Sequence, residues 1–524
     1  MKSSLLSAWT GMIVLFSAAL FSCTSSPENG AEETPGGNAG EYTENTFYIH
    51  SVLRSDMVVQ QNRPLTLWGK GTTGKTVTVT VDWNNGEFSA TVDGKGFWSL
   101  TMDVPAAPAG NPPHTIRFHY DGQQVEFGNI LIGEVWFLSG QSNMQMEMAR
   151  PEAGGHAGVE DYENEIAAAD YPLLRFYNCN LNILPEPQWD GPGMWRVCSP
   201  ATAGLLSGVG YYFGRKLVQE LDIPVGLVVT AYGGVAGQGY TALEVLSSSA
   251  VLKAKYVDPY LADRESVQPT SRPGETYNAM VHPFFPLSVR GILWYQGESN
   301  AWEGDIYQIM ERYKLEHWRR MFGRPELPYY FVQLAPCAWG IDKVPEVENP
   351  FYEGLPYFPV FREFQSKIRD QNDHCEMVVT MDVGDVDDIH PRKKRPVGER
   401  LARIALNRDY ERTEVSYLGP RYNSFSTEGG VTKVLFDHAE AGLETNDGAA
   451  PQHFFVAGED RVFHRADAEI HGNEIWLTCP EVPRVEAVRY AFLLYPITNL
   501  QNSSGLPAEP FRTDYWDQVT YRSR

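Results

Sequence analysis

GEVWFLSGQSNMQMEM, residues 133–148, carries an apolar run from Val135 to Leu138 straight into Gly140-Gln141-Ser142-Asn143. The run has the composition of a buried strand, and the Met-rich segment behind the turn can continue as a helix. A serine at such a strand-to-helix turn has its hydroxyl lifted above the sheet, at the edge where α/β folds hold their ligands. The chain contains no G-x-S-x-G elbow, so Ser142 would be a nucleophile of another kind. The plain alternative is a serine that only shapes a glycine turn.

Working outward, residues 129–410 alternate apolar strands with helical patterns. Strands are expected over Ile130–Leu138, Val225–Thr230, Gly291–Tyr295, Tyr329–Leu334 and Met377–Thr380, and helices over Val209–Glu220, Ile306–Met321 and Arg395–Leu406. Pro396 lies near the start of the last helix, where a missing N–H does no harm. Near-continuous apolar strands between helices imply a parallel sheet of about five strands covered on both faces. The flanks differ. Residues 47–128 are short alternating strands punctuated by Asn84-Asn85-Gly86 and Asp121-Gly122, the pattern of a modest β-sandwich. Gly128-Asn129 reads as the lead-in to the α/β domain, and residues 411–524 return to strands as a C-terminal β-rich module.

The chain of 524 residues is too long for one core, and its formal charge of −23 without a basic stripe excludes nucleic acid as a partner. Lys2, the apolar run Met12 to Phe16 and the ending Leu20-Phe21-Ser22-Cys23 make a secretory signal over residues 1–23. Its last residues look like a bacterial lipoprotein signal with Cys23 acylated. Residues 24–46 are rich in Ser, Thr, Pro, Gly and Glu and read as a flexible tether. The expectation is an exported lipoprotein, periplasmic or on the cell surface, held to the membrane at Cys23. Of the six cysteines five remain beyond Cys23; no C-x-x-C pair suggests a metal site, and a Cys179–Cys198 bridge is open in an oxidising compartment.

Three further stretches follow strands and so meet at the same sheet edge. Ala231-Tyr232-Gly233-Gly234 lets backbone N–H groups approach a ligand. Gln296-Gly297-Glu298-Ser299-Asn300 offers two amides to a developing oxyanion, and Ser299 as a formal rival nucleophile. Asp382-Val383-Gly384-Asp385-Val386-Asp387-Asp388-Ile389-His390 holds an Asp-x-x-His spacing, in which Asp387 can bond one ring nitrogen of His390 and leave the other for the nucleophile. The same aspartates could instead be a solvated acidic loop, or a Ca²⁺ site built from Asp382, Asp385, Asp387 and Asp388; no metal is expected.

In this order, GQSNM, the Gly-Gly turn, WYQGESNA and DIHPRKKRPVGERLA resemble the sialate O-acetylesterase family of the SGNH hydrolases. YNAMVHPF (277–284), Leu334-Ala335-Pro336 and GLPAEPFRTDYW extend the resemblance over nearly all of the chain from residue 47. It implies a flavodoxin-like three-layer α/β/α domain and ester hydrolysis without a cofactor. Carried over by motif, Ser142 is the nucleophile and His390 the general base, acting through an acetyl-enzyme. The oxyanion hole would be the N–H groups of Ser142 and Gly234 with a side-chain amide. Because Ser299 stands where SGNH enzymes carry an Asn, Gln296 is the expected donor and Asn300 the alternative; Asn143 is left to brace the turn. Asp387 is expected to orient His390, with Asp388, part of the family-typical DIHP string, and Glu298 as alternatives. The substrate implied is an O-acetylated sugar, sialic acid first, with acetylated xylan or another glycan open. A non-catalytic glycan-binding lipoprotein is the opposing class.

Overall fold

Strand β1 (Gln123–Gly140) is 18 residues long and joins two sheet regions of different character. The computed structural model describes residues 47–84, 86–338, 358–516 and 520–522; the signal, the tether and Cys23 lie outside the described residues. The first half of β1 pairs antiparallel with His114–Tyr120, which pairs in turn with Thr76–Val81, and Thr76–Val81 pairs with Glu87–Thr91. Tyr48–Ile49, Pro64–Lys70 and Phe97–Asp103 form a separate three-stranded sheet. In Phe97–Asp103 every second residue is buried, the pattern of a strand with one face on a core and one in water.

The second half of β1 lies inside a parallel sheet. The other strands of that sheet are β2 (Tyr171–Cys179), β3 (Gly193–Cys198), β4 (Val225–Val229), β5 (Gly291–Tyr295), β6 (Tyr329–Val332) and β7 (Cys375–Val378), in the order β3-β2-β4-β1-β5-β6-β7. Only β3 is antiparallel, to β2. Alternate residues go to opposite faces. Val135, Phe137, Ile292 and Trp294 pack under α3 (Gly304–Met321) and α4 (Phe358–Asp370) through Met310, Leu315, Trp318 and Phe361. Trp136, Leu138, Leu293 and Tyr295 pack under α2 (Gly208–Leu221) and α5 (Lys394–Asp409) through Phe213, Leu217, Leu401 and Ile404. Each fully buried aliphatic or Phe side chain in these layers contributes roughly 1.5–3 kcal/mol. The result is a three-layer α/β/α arrangement. Chain order switches sides at β1, with β2, β3 and β4 on one flank and β5, β6 and β7 on the other, so the crevice belongs at the carboxyl end of β1.

Beyond α5 the chain forms a four-stranded antiparallel sheet around Val431–Asp437, a five-stranded sheet around Phe454–Ala457 and Ala487–Tyr490, and the pair Leu443–Thr445 with Leu500–Asn502. The fully buried Arg362 guanidinium of α4 donates to the carbonyls of Leu334, Leu493 and Leu494, tying these strands to the loop after β6.

The parallel sheet has two more strands than the sequence suggested. The β2–β3 hairpin escaped because Arg175 breaks its apolar run, and this buried guanidinium is satisfied by the backbone and side-chain oxygens of Asn129. Gly128-Asn129, read as a lead-in between domains, is a bulge inside β1: the register with the neighbouring strand shifts between His114 and Ile116, and Asn129 takes φ +54°. Cys179 and Cys198 are free thiols, because Cys179 pairs with Gly193 and Cys198 with Tyr171 at opposite ends of the hairpin. No helix among the described residues is long and apolar enough to cross a membrane.

Candidate active site

Gly140, the last residue of β1, stands opposite Tyr295, the last of β5. The two strands therefore release their chains side by side. Gln141 N–H donates to Tyr295 O at 2.9 Å, and Gly140 has φ +134° with a Cβ position only 2.1 Å from that carbonyl oxygen, so no other residue fits there. Ser142 then opens the single helical turn α1 (Ser142–Gln145). Its side chain is half-buried, and its hydroxyl has no hydrogen-bond partner among the described residues.

The loop after β4 closes over this turn. Tyr232 N–H donates to Gly140 O at 2.9 Å and Gly233 N–H to Gln145 Oε1 at 2.6 Å. A Cβ at Gly233 would stand 3.5 Å from Ser142 Cβ, and Gly234 follows at φ +74°. The N–H groups of Ser142 and Gly234 have no acceptor among the described residues. Two unused amides beside an unused hydroxyl can receive a developing oxyanion.

The expected side-chain donors do not join them. Gln296 is fully buried behind the turn, its Nε2 spent on Gln141 Oε1 at 3.0 Å and Asn300 Oδ1 at 2.8 Å. Backbone donors fix this orientation: Ser299 N–H bonds Gln141 Oε1 and Gly237 N–H bonds Asn300 Oδ1, so both oxygens must face the Gln296 nitrogen. Asn300 Nδ2 is likewise taken, by Gln238 Oε1 and Glu303 Oε2. Both amides brace the turns from below, where a sequence cannot show that they are buried. Ser299, the formal rival, is exposed and its hydroxyl donates to Gly234 O at 3.1 Å.

The third loop brings His390. Asn143 Nδ2 donates to Ile389 O at 3.0 Å, which ties the residue after Ser142 to the residue before His390. No hydrogen bond joins Ser142 to His390 among the described residues. Burial holds the His390 imidazole below its ordinary pKa, and the Lys394 ammonium adds to this while Asp388 opposes it. A neutral imidazole can accept a proton.

The acid needs correcting. Asp387 is exposed and makes no ion pair or hydrogen bond with His390. Its N–H and that of Asp388 both bond Asp385 Oδ1, a turn that carries the Asp387 side chain outward. The carboxylate nearest His390 is Asp388 instead, which accepts the His390 backbone N–H at 2.8 Å and stands 3.6 Å from the imidazole Nδ1. The remaining aspartate of the loop, Asp382, is held by Arg400 at 2.8 and 2.6 Å, so the four carboxylates do not converge. Asp388→Asn is expected to lower kcat on an aryl acetate roughly ten- to a hundredfold and Asp387→Asn less than about threefold; Asp388 is partly solvated, so its loss costs less than that of a buried triad acid. A larger loss from Asp387→Asn than from Asp388→Asn would return the role to Asp387.

Glu298, the other candidate acid, points elsewhere. Its Oε1 accepts from Asn143 Nδ2 at 2.5 Å, and Lys394 Nζ donates to Asn143 Oδ1 at 2.5 Å. Although Glu298 as a residue reaches the surface, its Oε2 is buried and has no partner among the described residues, nor has the nearby Tyr295 hydroxyl. Burial raises the Glu298 carboxyl and lowers the fully buried Lys394 to about 7. Sequence reading missed Lys394. Its one clue was a lysine four residues after His390 at a helix start, where the sequence could equally have meant a solvated face.

Known proteins resemble this chain over most of its length. Sialate O-acetylesterase of Rattus norvegicus is 27% identical over 563 residues, covering 91% of this chain and 95% of its own length. The Homo sapiens sialate O-acetylesterase is 27% identical and covers 71% of this chain and 73% of its own. The crystal structure of a carbohydrate acetylesterase from Xanthomonas citri superposes with a TM-score of 0.77 at 30% identity, covering 90% of this chain and all of that one. Residues 132–407 match the family described as carbohydrate esterase, sialic acid-specific acetylesterase, and the chain belongs to that family.

Proposed function

We propose that this chain removes O-acetyl groups from sugars through an acetyl-enzyme on Ser142, in an SGNH-type catalytic domain spanning residues 129–410. The observation that carries the reading is the free Ser142 hydroxyl beside the two unused N–H groups of Ser142 and Gly234. Ser142 Oγ attacks the acetyl carbonyl as His390 takes its proton through the nitrogen turned away from Asp388. Negative charge on the carbonyl oxygen is received by the two amides, and the sugar hydroxyl leaves with the proton from His390. Water repeats the sequence on the acetyl ester and releases acetate. Every step uses side chains and backbone of this chain, with no cofactor.

The named substrate of the mammalian relatives makes O-acetylated sialic acid the first sugar to assay, and acetylated xylan the second. The regions 47–128, as a β-sandwich, and 411–524, as a β-rich module, would brace the catalytic domain or hold glycan. The N-terminal pattern ending at Cys23 supports export as a lipoprotein anchored to a membrane. Acetate release from both sugar esters and from 4-nitrophenyl acetate tests the function: turnover of at least one sugar ester is expected. Inertness on all three would sink the reading in favour of a glycan-binding lipoprotein.

A further inference from the structure

A cavity of about 280 Å³ opens at the carboxyl ends of β2 and β4, lined among others by Gln145, Glu147, Asn180, Leu181, Leu205 and Ala231. It shares a wall with the nucleophile's turn. Gln145 lies on the same helical turn as Ser142, and its Oε1 holds the Gly233 N–H at 2.6 Å; Ala231 starts the loop that carries Gly233 and Gly234. The volume is just below the roughly 300–1,000 Å³ usual for small-molecule sites, enough for one ring and not for a run of several.

The lining has two characters. The Glu147 carboxylate and the Asn180 side-chain amide have no hydrogen-bond or ion-pair partner among the described residues, although Glu147 is half-buried. Burial raises the Glu147 carboxyl, against the opposing pull of Arg196, which does not line the cavity. On the other side Leu181 is 46% exposed and Leu205 43% exposed, unusual for leucines that border a cavity with nothing packed on them. A pyranose is built the same way, with hydroxyls around its rim and apolar C–H groups on its faces. A free carboxylate and a free amide suit the hydroxyls; the leucines suit the C–H face.

We infer that this cavity is the subsite for the sugar ring that carries the scissile acetyl ester, with Glu147 and Asn180 bonding its free hydroxyls and Leu181 and Leu205 packing on its face. The inference rests on the esterase reading above. Since Glu147 is the one charged group of the lining, the ring turns hydroxyls toward it and any carboxylate of the sugar away.

The test compares kcat/KM of the full chain on 4-nitrophenyl acetate, which has no sugar, with that on whichever of O-acetylated sialic acid and acetylated xylo-oligosaccharide the wild type hydrolyses faster. Glu147→Gln and Asn180→Ala are each expected to lower the sugar-ester value about tenfold more than the aryl-acetate value, mainly through KM, as loss of a hydrogen bond to a bound hydroxyl does. Proportional losses on both substrates, or no loss on either, would overturn the inference. A wild type inert on every ester would instead overturn the esterase reading. The exposed Asn180 keeps the test open should Glu147→Gln fold poorly.

Discussion

Ser142→Ala is expected to lower acetate release from 4-nitrophenyl acetate by at least about a thousandfold, leaving the weak catalysis that oxyanion donors and binding supply without a nucleophile. Fold stability should not follow. The Ser142 hydroxyl has no partner among the described residues, so its removal breaks no internal hydrogen bond, and the thermal midpoint should move by no more than about 2 °C. Ser299→Ala is the matched control, expected to cost less than about tenfold, since Ser299 only ties its loop to Gly234 O. The pH profile adds an independent mark. His390 must be neutral to take the proton, so kcat/KM falls as pH drops through its pKa. Burial and Lys394 hold that pKa below the ordinary histidine value of about 6.5, which places the acid limb below that pH. A limb above the ordinary histidine range, or a Ser142→Ala enzyme within tenfold of wild type, would remove Ser142 and His390 from their roles.

What the sequence showed and what it hid follow from separation along the chain. The β5 strand Gly291–Tyr295 and the helix Gly304–Met321 were legible because their periodicity is local, an apolar run in one and a one-sided stripe in the other. Ser142 stood out because it comes just after the strand β1, and His390 because it sits in a motif in the loop between β7 and α5. Which polar group meets which was not. The bond from Asn143 to Glu298 spans 155 positions and that from Lys394 to Asn143 spans 251, and no local pattern encodes either. Gln296 shows the limit most plainly. A glutamine after a strand looks like a donor aimed at the ligand, yet Gln141 and Asn300 claim its nitrogen beneath the turn. The Asp387 reading failed for a related reason: spacing permits the contact with His390, while the turn on Asp385 decides which carboxylate makes it.

The second large effect is expected at Lys394. Its ammonium is fully buried and donates to Asn143 Oδ1, while Asn143 Nδ2 reaches both Glu298 and the carbonyl of Ile389. One amide thus joins the nucleophile's turn, the loop after β5 and the loop of the base, with opposite charges on either side of it. Lys394→Met keeps the length of the side chain and removes the charge and the donor. Asn143 is then free to rotate, Glu298 loses the cation that offsets its burial, and the Ile389–His390 segment loses its fixed distance from Ser142. A misplaced base costs on the order of a hundredfold in kcat, with KM changed far less, because Lys394 does not line the cavity proposed for the sugar. The charge has a second, separable consequence. Lys394 pulls the His390 pKa down, so its removal should move the acid limb of kcat/KM toward higher pH, a shift that loosened packing alone does not dictate. Glu298→Gln keeps an acceptor for Asn143 and should retain more activity than Lys394→Met. Wild-type kcat together with an unmoved acid limb in Lys394→Met would reduce this lysine to a core residue, and a limb moved downward would contradict the sign of its effect on His390.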